Sequence, residues 1–301
     1  IDDCVAEKPH MEENAVIQYH YDHSVGRTIK GINLLSCCYE ISVQDLSICV
    51  PVQVEVIEKT ELYENERSGE LRYRSKKTKN EIFQDLLRAV QQNQIPYGYV
   101  LCDVWFSSAE NMMFIRTKLK KHFVMPIKSN RLVRLLAEGE TIEHHPGQKK
   151  LFRAVDTLDL TEDHTYRAEI KGLAFEVLLL RHVYKNADGT VGVVFLVTSD
   201  LTLSGTALFD LQQRRWKIEP YHKSLKQNAS LMKSPARTAW TQRNHVFASL
   251  LGYVKLEGLK LQGRVNHFAL RTRIYTRAVQ AAWEELRNLR ELFKSPVPLG
   301  A

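Results

Sequence analysis

The chain has 301 residues, enough for one large domain or two smaller ones, and its 44% hydrophobic content is ordinary for a protein with a packed core. No stretch approaches the roughly 18–20 uncharged apolar residues of a membrane span, and acids occupy the start, where a signal peptide would carry basic residues. A net charge of +7, concentrated at Lys76/Lys77/Lys79, Lys118/Lys120/Lys121 and across 214–226, suits a polyanionic partner, while five cysteines without a Cys-x-x-Cys pair fit a reducing cytoplasm better than a disulfide framework.

Ile1-Asp2-Asp3 reads as the end of a strand that starts upstream, so the chain is expected to be part of a longer protein. A turn at 24–26 leads into a buried strand at 31–39, and 48–57 reads as a second strand, placed at a sheet edge by Pro51. The polar stretch 61–79 reads as an exposed loop. Ile82, Leu86, Leu87 and Val90 then repeat at the period of an amphipathic helix over 79–94. The apolar run 97–106 predicts a strand with Asp103 near its C-terminal end. Ser107 and Ser108 offer an N-cap, and Glu110 favours a helix to about 120. A brief strand at 123–127 follows.

From 151 to 200 the pattern turns to β, with strands at 151–155, 165–170, 175–184 and 191–198 and an Asp188-Gly189 turn. It predicts a small sheet inserted before the last helices. The remainder, 204–294, reads as mostly helical, with a kink or break at Pro220 and a loose tail at 295–301. The implied class is α/β, with a ligand site at the carboxyl ends of strands.

Chemistry concentrates in Arg215-Trp-Lys-Ile-Glu219-Pro-Tyr-His-Lys-Ser-Leu-Lys226. Offsets of four and seven return to one helix face, so Glu219 is bracketed by Arg215 and Lys226. An acid between two cations suits a metal-bound phosphate group, with the acid on the metal and the bases on phosphate oxygens. Asp3 and Asp103 stand at strand ends upstream. Three carboxylates from different elements can hold two Mg²⁺ ions about 3.5–4 Å apart, and phosphoryl transfer needs little beyond such positioning. Taken singly, Asp103 is a helix cap and Arg215/Glu219 a surface pair worth roughly a few tenths of a kcal/mol. Their joint occurrence in this order favours the catalytic reading.

These motifs resemble the DDE transposases of the insertion-sequence-four family. Arg215, Glu219 and Lys226 match the last three positions of the family's Tyr-x2-Arg-x3-Glu-x6-Lys pattern, and Gln212 takes the tyrosine position. Val100-Leu-Cys-Asp103-Val-Trp-Phe-Ser resembles the second-aspartate motif. Ile1-Asp2-Asp3-Cys4 resembles the first, with Asp3 favoured, Asp2 the alternate, and Cys4 where the family has threonine.

The resemblance runs from residue 1 to about 261. It implies a ribonuclease H-like mixed sheet with flanking helices, interrupted by a β-rich insertion. The division would be 1–130 and 204–262 for the core, 131–203 for the insertion and 263–301 for a helical tail. It further implies Asp3, Asp103 and Glu219 as ligands of Mg²⁺, with Mn²⁺ able to substitute, and Arg215, Lys226, Gln212 and Lys223 on DNA phosphates. The working form would be a homo-oligomer bridging transposon ends, cutting and then joining strands. A nuclease of the same fold and a non-catalytic DNA-binding remnant are the rival readings.

Other candidates carry less. His20, Asp22 and His23 read as loop anchors before metal ligands, and His144-His145-Pro146 reads as an exposed loop. Trp105, Trp240 and Trp283 read as core, though an aromatic beside Asp103 could stack on a displaced base. The absence of Gly-x-Gly-x-x-Gly and Walker motifs argues against a nucleotide cofactor.

Overall fold

A computed structural model describes residues 1–22, 26–43, 46–66, 69–142, 151–186 and 188–294. The first half is built on a four-stranded antiparallel sheet of β1 (Asp2–Glu7), β2 (Ile17–Asp22), β3 (Arg27–Val43) and β4 (Leu46–Val56). The long β3 is its spine. It pairs with β1 along one edge, Asp2 opposite Ser36 and Glu7 opposite Gly31, and with β2 and β4 along the other. Gly31 is needed here, because a Cβ would overlap the Ala6 carbonyl across the ladder. The register shifts between Cys37 and Cys38, which face Gln53 and Pro51 and leave Val52 as the extra residue of a bulge. Pro51 thus lies at a bulge on an outer strand, the place where a missing N–H costs least.

Residues 61–79, expected to be a loop, contain a hairpin of β5 (Glu61–Glu64) and β6 (Leu71–Arg74). Its side chains are largely exposed, so cross-strand pairing alone organises it and the polar composition hid it. α1 (Lys79–Gln92) opens on a capping box: Glu81 N–H donates to Thr78 Oγ1 at 3.2 Å, and Thr78 N–H donates to the Glu81 carboxylate at 2.7 Å. It buries Ile82, Phe83, Leu86, Leu87 and Val90.

The second half is a seven-stranded mixed sheet in the order β10-β9-β11-β12-β13-β8-β7. Its strands are β7 (Tyr99–Leu101), β8 (His122–Ile127), β9 (Leu132–Leu135), β10 (Arg153–Ala154), β11 (Thr165–Ile170), β12 (Val177–Lys185) and β13 (Val191–Thr198). β7 and β8 run parallel, joined through α2 (Ala109–Met113) and a π-turn at Phe114–Lys118; the other pairs are antiparallel. The strands expected to form a small sheet of their own instead hydrogen-bond onto β8 through β13. The predicted strand at 97–106 is only three residues long, because Asp103 ends it by capping a 3₁₀ turn at Val104–Phe106. The strand expected at 151–155 shrinks to two residues.

The sheets meet where the Ile1 amino group donates to the Leu101 carbonyl at 2.7 Å. One apolar core runs under both, with α1 over Leu35 and Cys37 and with Phe123, Met125, Ile170, Leu179 and Val197 contributed by the larger sheet. α3 (Gly205–Arg215) packs Leu208 on the opposite face of the larger sheet. On the opposite face of the smaller one lie α4 (Ile218–Gln227) and α5 (Ala239–Gly263). The class is therefore α/β with flanking helices.

α6 (His267–Lys294) is exposed along most of its length. Trp240 is 69% exposed and Trp283 68%, so neither is the core residue expected: helical spacing marks an apolar face but not what covers it. Among the described residues no helix is long and apolar enough to cross a membrane. His23, most of the 24–26 turn, His144-His145-Pro146 and the tail 295–301 lie outside the described residues.

Candidate active site

β1 opens on its two acids and runs on to Glu7, where they were expected to end a strand, because Cys4-Val5-Ala6 continue the ladder on β3; the pleat sends the acids to opposite faces. Asp2 sits across from Ser36, whose hydroxyl meets Tyr221 Oη of α4 at 3.2 Å, so its face is the α4 face. Asp3 sits across from Leu35, which packs in the core under α1, and its carboxylate takes Lys79 Nζ from the start of α1 at 2.6 Å. Burial pushes the Asp2 carboxyl up to about 6, against the pull of the Ile1 ammonium. Asp103 arrives from the other sheet, where β7 ends, with one oxygen held by Val104 N–H at 2.7 Å.

Glu219 lies in the first turn of α4, and the expected break comes before it. α3 ends at Arg215 and α4 starts at Ile218. Pro220 has no N–H to give the Trp216 carbonyl, and Glu219 N–H takes that carbonyl instead, at 3.1 Å. Arg215 and Glu219 are therefore on two helices, yet one guanidinium still reaches both Glu219 and Asp2, each at 3.7 Å. It is nearly buried, and its Nε has no partner among the described residues. α4 is seated by Ile218, Tyr221 and Leu225, all buried against Cys4, Ala6, Ile32 and Leu34. Burying one such leucine contributes about 1.5–3 kcal/mol.

Asp2, Asp3, Asp103 and Glu219 line a single cleft of about 680 Å³ together with Asp22, Trp105, His222, Lys223 and Lys226. Of the cations proposed from sequence, Lys223 and Lys226 face this cleft, Arg215 braces it from behind, and Gln212 is buried in α3 outside the lining. Four further participants were hardly legible beforehand. Lys79 is 76 residues from the acid it pairs with. Asp22 was legible only as a loop anchor. His222, buried with Nε2 unpartnered among the described residues and its pKa lowered to about 3 by burial, carried no motif. Trp105, expected in the core, is 52% exposed beside Asp103.

The donor set has the chemistry of a hard divalent cation, being all carboxylate oxygen. Cys4, a thiol in the lining, has its pKa pushed up to about 12 by burial and stays neutral. Yet among the described residues no three acidic, cysteine or histidine side chains converge on one point, and Asp3 is turned to Lys79.

Residues 72–255 match the family model described as Transposase DDE domain. The chain belongs to this family. Transposase DDE domains are DNA-cleaving enzymes that generally use a divalent metal, so the carboxylate cleft is where their chemistry is to be sought in this chain. The matched stretch runs from β6 into α5 and holds Asp103, Glu219, Arg215 and Lys226, while Asp2 and Asp3 precede it. No curated protein matches the chain.

Proposed function

We propose that this chain is the catalytic core of a transposase that cuts DNA at the ends of a mobile element and joins the freed 3′-hydroxyl to a second strand. Asp3, Asp103 and Glu219 are its metal-binding acids, with a ribonuclease H-like core at 1–130 and 204–262, strands 131–203 between its parts and a helical tail at 263–301. The observation that carries this reading is the sharing of one cleft by acids from β1, the end of β7 and α4, elements far apart in sequence.

Two Mg²⁺ ions bound there would activate the attacking oxygen and stabilise the leaving one. The residues' own part is positioning and charge. Asp103 is fixed by the Val104 N–H, and Glu219 is held by Arg215, which shares itself with Asp2. Asp3 must exchange its lysine partner for the metal, so loading the site breaks the Lys79 ion pair. Lys223 and Lys226 stand on the α4 side of the cleft and take the phosphate oxygens of the cut strand. Arg215, nearly buried between two acids, positions Glu219, and Gln212 is buried in α3. The active form brings two transposon ends together as a homo-oligomer.

The test uses DNA carrying the element's ends, uncut and pre-cut, with Mg²⁺ or Mn²⁺. Metal-dependent cutting of the first and joining of the second, both lost in Glu219→Gln, are expected. Cutting without joining would make the chain a nuclease. Binding without either would make it a non-catalytic remnant.

A further inference from the structure

α6 starts beside α4, the helix that carries Glu219, and its first two turns hold three residues of that helix. His267 Nδ1 lies 2.7 Å from Ser224 Oγ, with both side chains buried. Lys223 Nζ stands 5.5 Å from the centre of the Phe268 ring. Arg271 Nη1 donates to the Gln227 carbonyl at 2.6 Å. Helical spacing joins the three contacts: 267, 268 and 271 fall on one side of α6, and 223, 224 and 227 on one side of α4.

The grip has a fixed base. Glu257 of α5 is buried, accepts from Tyr253 Oη at 2.8 Å and Lys260 Nζ at 2.9 Å, and stands 3.4 Å from His267 Nε2. Tyr253 Oη also donates to the Cys49 carbonyl of β4 at 2.9 Å, which ties this cluster to the smaller sheet. Gln227 closes α4, and the last four carbonyls of a helix have no partner within it. A guanidinium there caps the helix and complements its dipole. Arg271 lies in turn 5.4 Å from the centre of the Tyr275 ring, one turn further along α6. All of these α6 residues lie beyond the stretch that matches the family model, which ends at residue 255.

Lys223 and Gln227 also line the acid cleft. We propose that Phe268 and Arg271 are positioning residues for DNA: Phe268 holds the Lys223 ammonium at the cleft before DNA arrives, and Arg271 fixes the end of α4 on which Lys223 and Lys226 stand. A lysine on its flexible stem loses rotamer freedom when it meets a phosphate. A ring beside the ammonium restricts that freedom beforehand. The ring takes one side of a group with three N–H donors and leaves the rest for phosphate oxygens. Neither residue touches the reacting atoms; both act through α4. The proposal rests on reading the cleft as the cutting site, since that reading makes Lys223 a phosphate contact.

Binding is measured in the Glu219→Gln chain, where no probe is cut, with a fluorescent mixed-sequence DNA duplex. Phe268→Ala should weaken binding roughly two- to five-fold, as expected for a cation over an exposed ring. Phe268→Tyr should keep the parent affinity, and Phe268→Leu should lose it, because leucine restores packing but no ring face. In a Lys223→Gln chain, whose salt slope should fall by about 0.9, Phe268→Ala should cost nothing further. With Glu219 restored, Phe268→Ala should raise KM for cutting and leave kcat nearly unchanged. Arg271→Gln should speed amide hydrogen exchange at the end of α4, and unchanged exchange would remove Arg271 from the role. Phe268 is 41% exposed, so its variants should fold, which circular dichroism checks. Parent affinity in Phe268→Ala or Phe268→Leu, or an equal loss with and without Lys223, would overturn the positioning role even where the wild-type chain cuts DNA. A Phe268 effect that needs Lys223, in a chain that never cuts, would uphold the role and sink the cutting reading alone.

Discussion

The acid cleft and a basic cavity of about 440 Å³, lined by Lys128, Arg131 and Lys171, share Trp105 and are built differently. In the cleft Asp3 pairs with Lys79, Arg215 stands between Asp2 and Glu219, and Asp103 accepts from a backbone N–H. Among the described residues no acid lines the cavity, and Arg131 donates to the Ser107 carbonyl. Groups that must stay ionised at close quarters need local compensation to fold, whereas cations at an exposed surface need only wait for a polyanion. The acids of the cleft thus already have partners, while the lysines of the cavity are exposed.

That contrast can be broken from the side of the cleft. The largest effect is expected from Glu219→Gln, which should lower DNA cutting on the order of a thousand-fold; cutting unchanged in that variant would remove Glu219 from the site. Next comes Leu225→Ala, a fully buried α4 anchor. It should cost about 2–5 kcal/mol in denaturant unfolding, loosening the Glu219 wall. A pH series tests the burial of Asp2. Its carboxyl sits near 3.8 in the unfolded chain and about 6 in the folded one, so the native state holds more protons between those values. Stability should be full below the lower value, fall as pH rises to about 6 and then level, by at most about 3 kcal/mol. Asp2→Asn should flatten the profile, and an unchanged slope in that variant would remove Asp2 as its cause. The smallest change in stability is predicted for Lys79→Met, under about 1 kcal/mol, because the lysine is substantially exposed. The same substitution should raise Mn²⁺ affinity by freeing Asp3; weaker metal binding would contradict the exchange of partners.

Local chemistry made much of this legible. The Ser108 cap and the Pro220 break are written in neighbouring residues. The family match independently spans Asp103 and Glu219. Non-local pairing was not legible. Nothing near 165–198 says that those strands extend the sheet of β8, because a ladder is chosen by register and burial across long separations. Val104-Trp105-Phe106 looks like a strand continuing past Asp103, and only the cap formed by Asp103 turns Trp105 outward. The choice between Asp2 and Asp3 was likewise hidden, since it depends on which helix covers each face of β1.

As a proposed metal centre the carboxylates of the cleft are unusual in that, among the described residues, no three of them converge on one point. The most direct measurement is a Mn²⁺ titration of the whole chain followed by electron paramagnetic resonance, with wild type beside Asp103→Asn and Glu219→Gln. Saturable binding that either substitution abolishes is the predicted result. No binding, or binding that both variants retain, would contradict it.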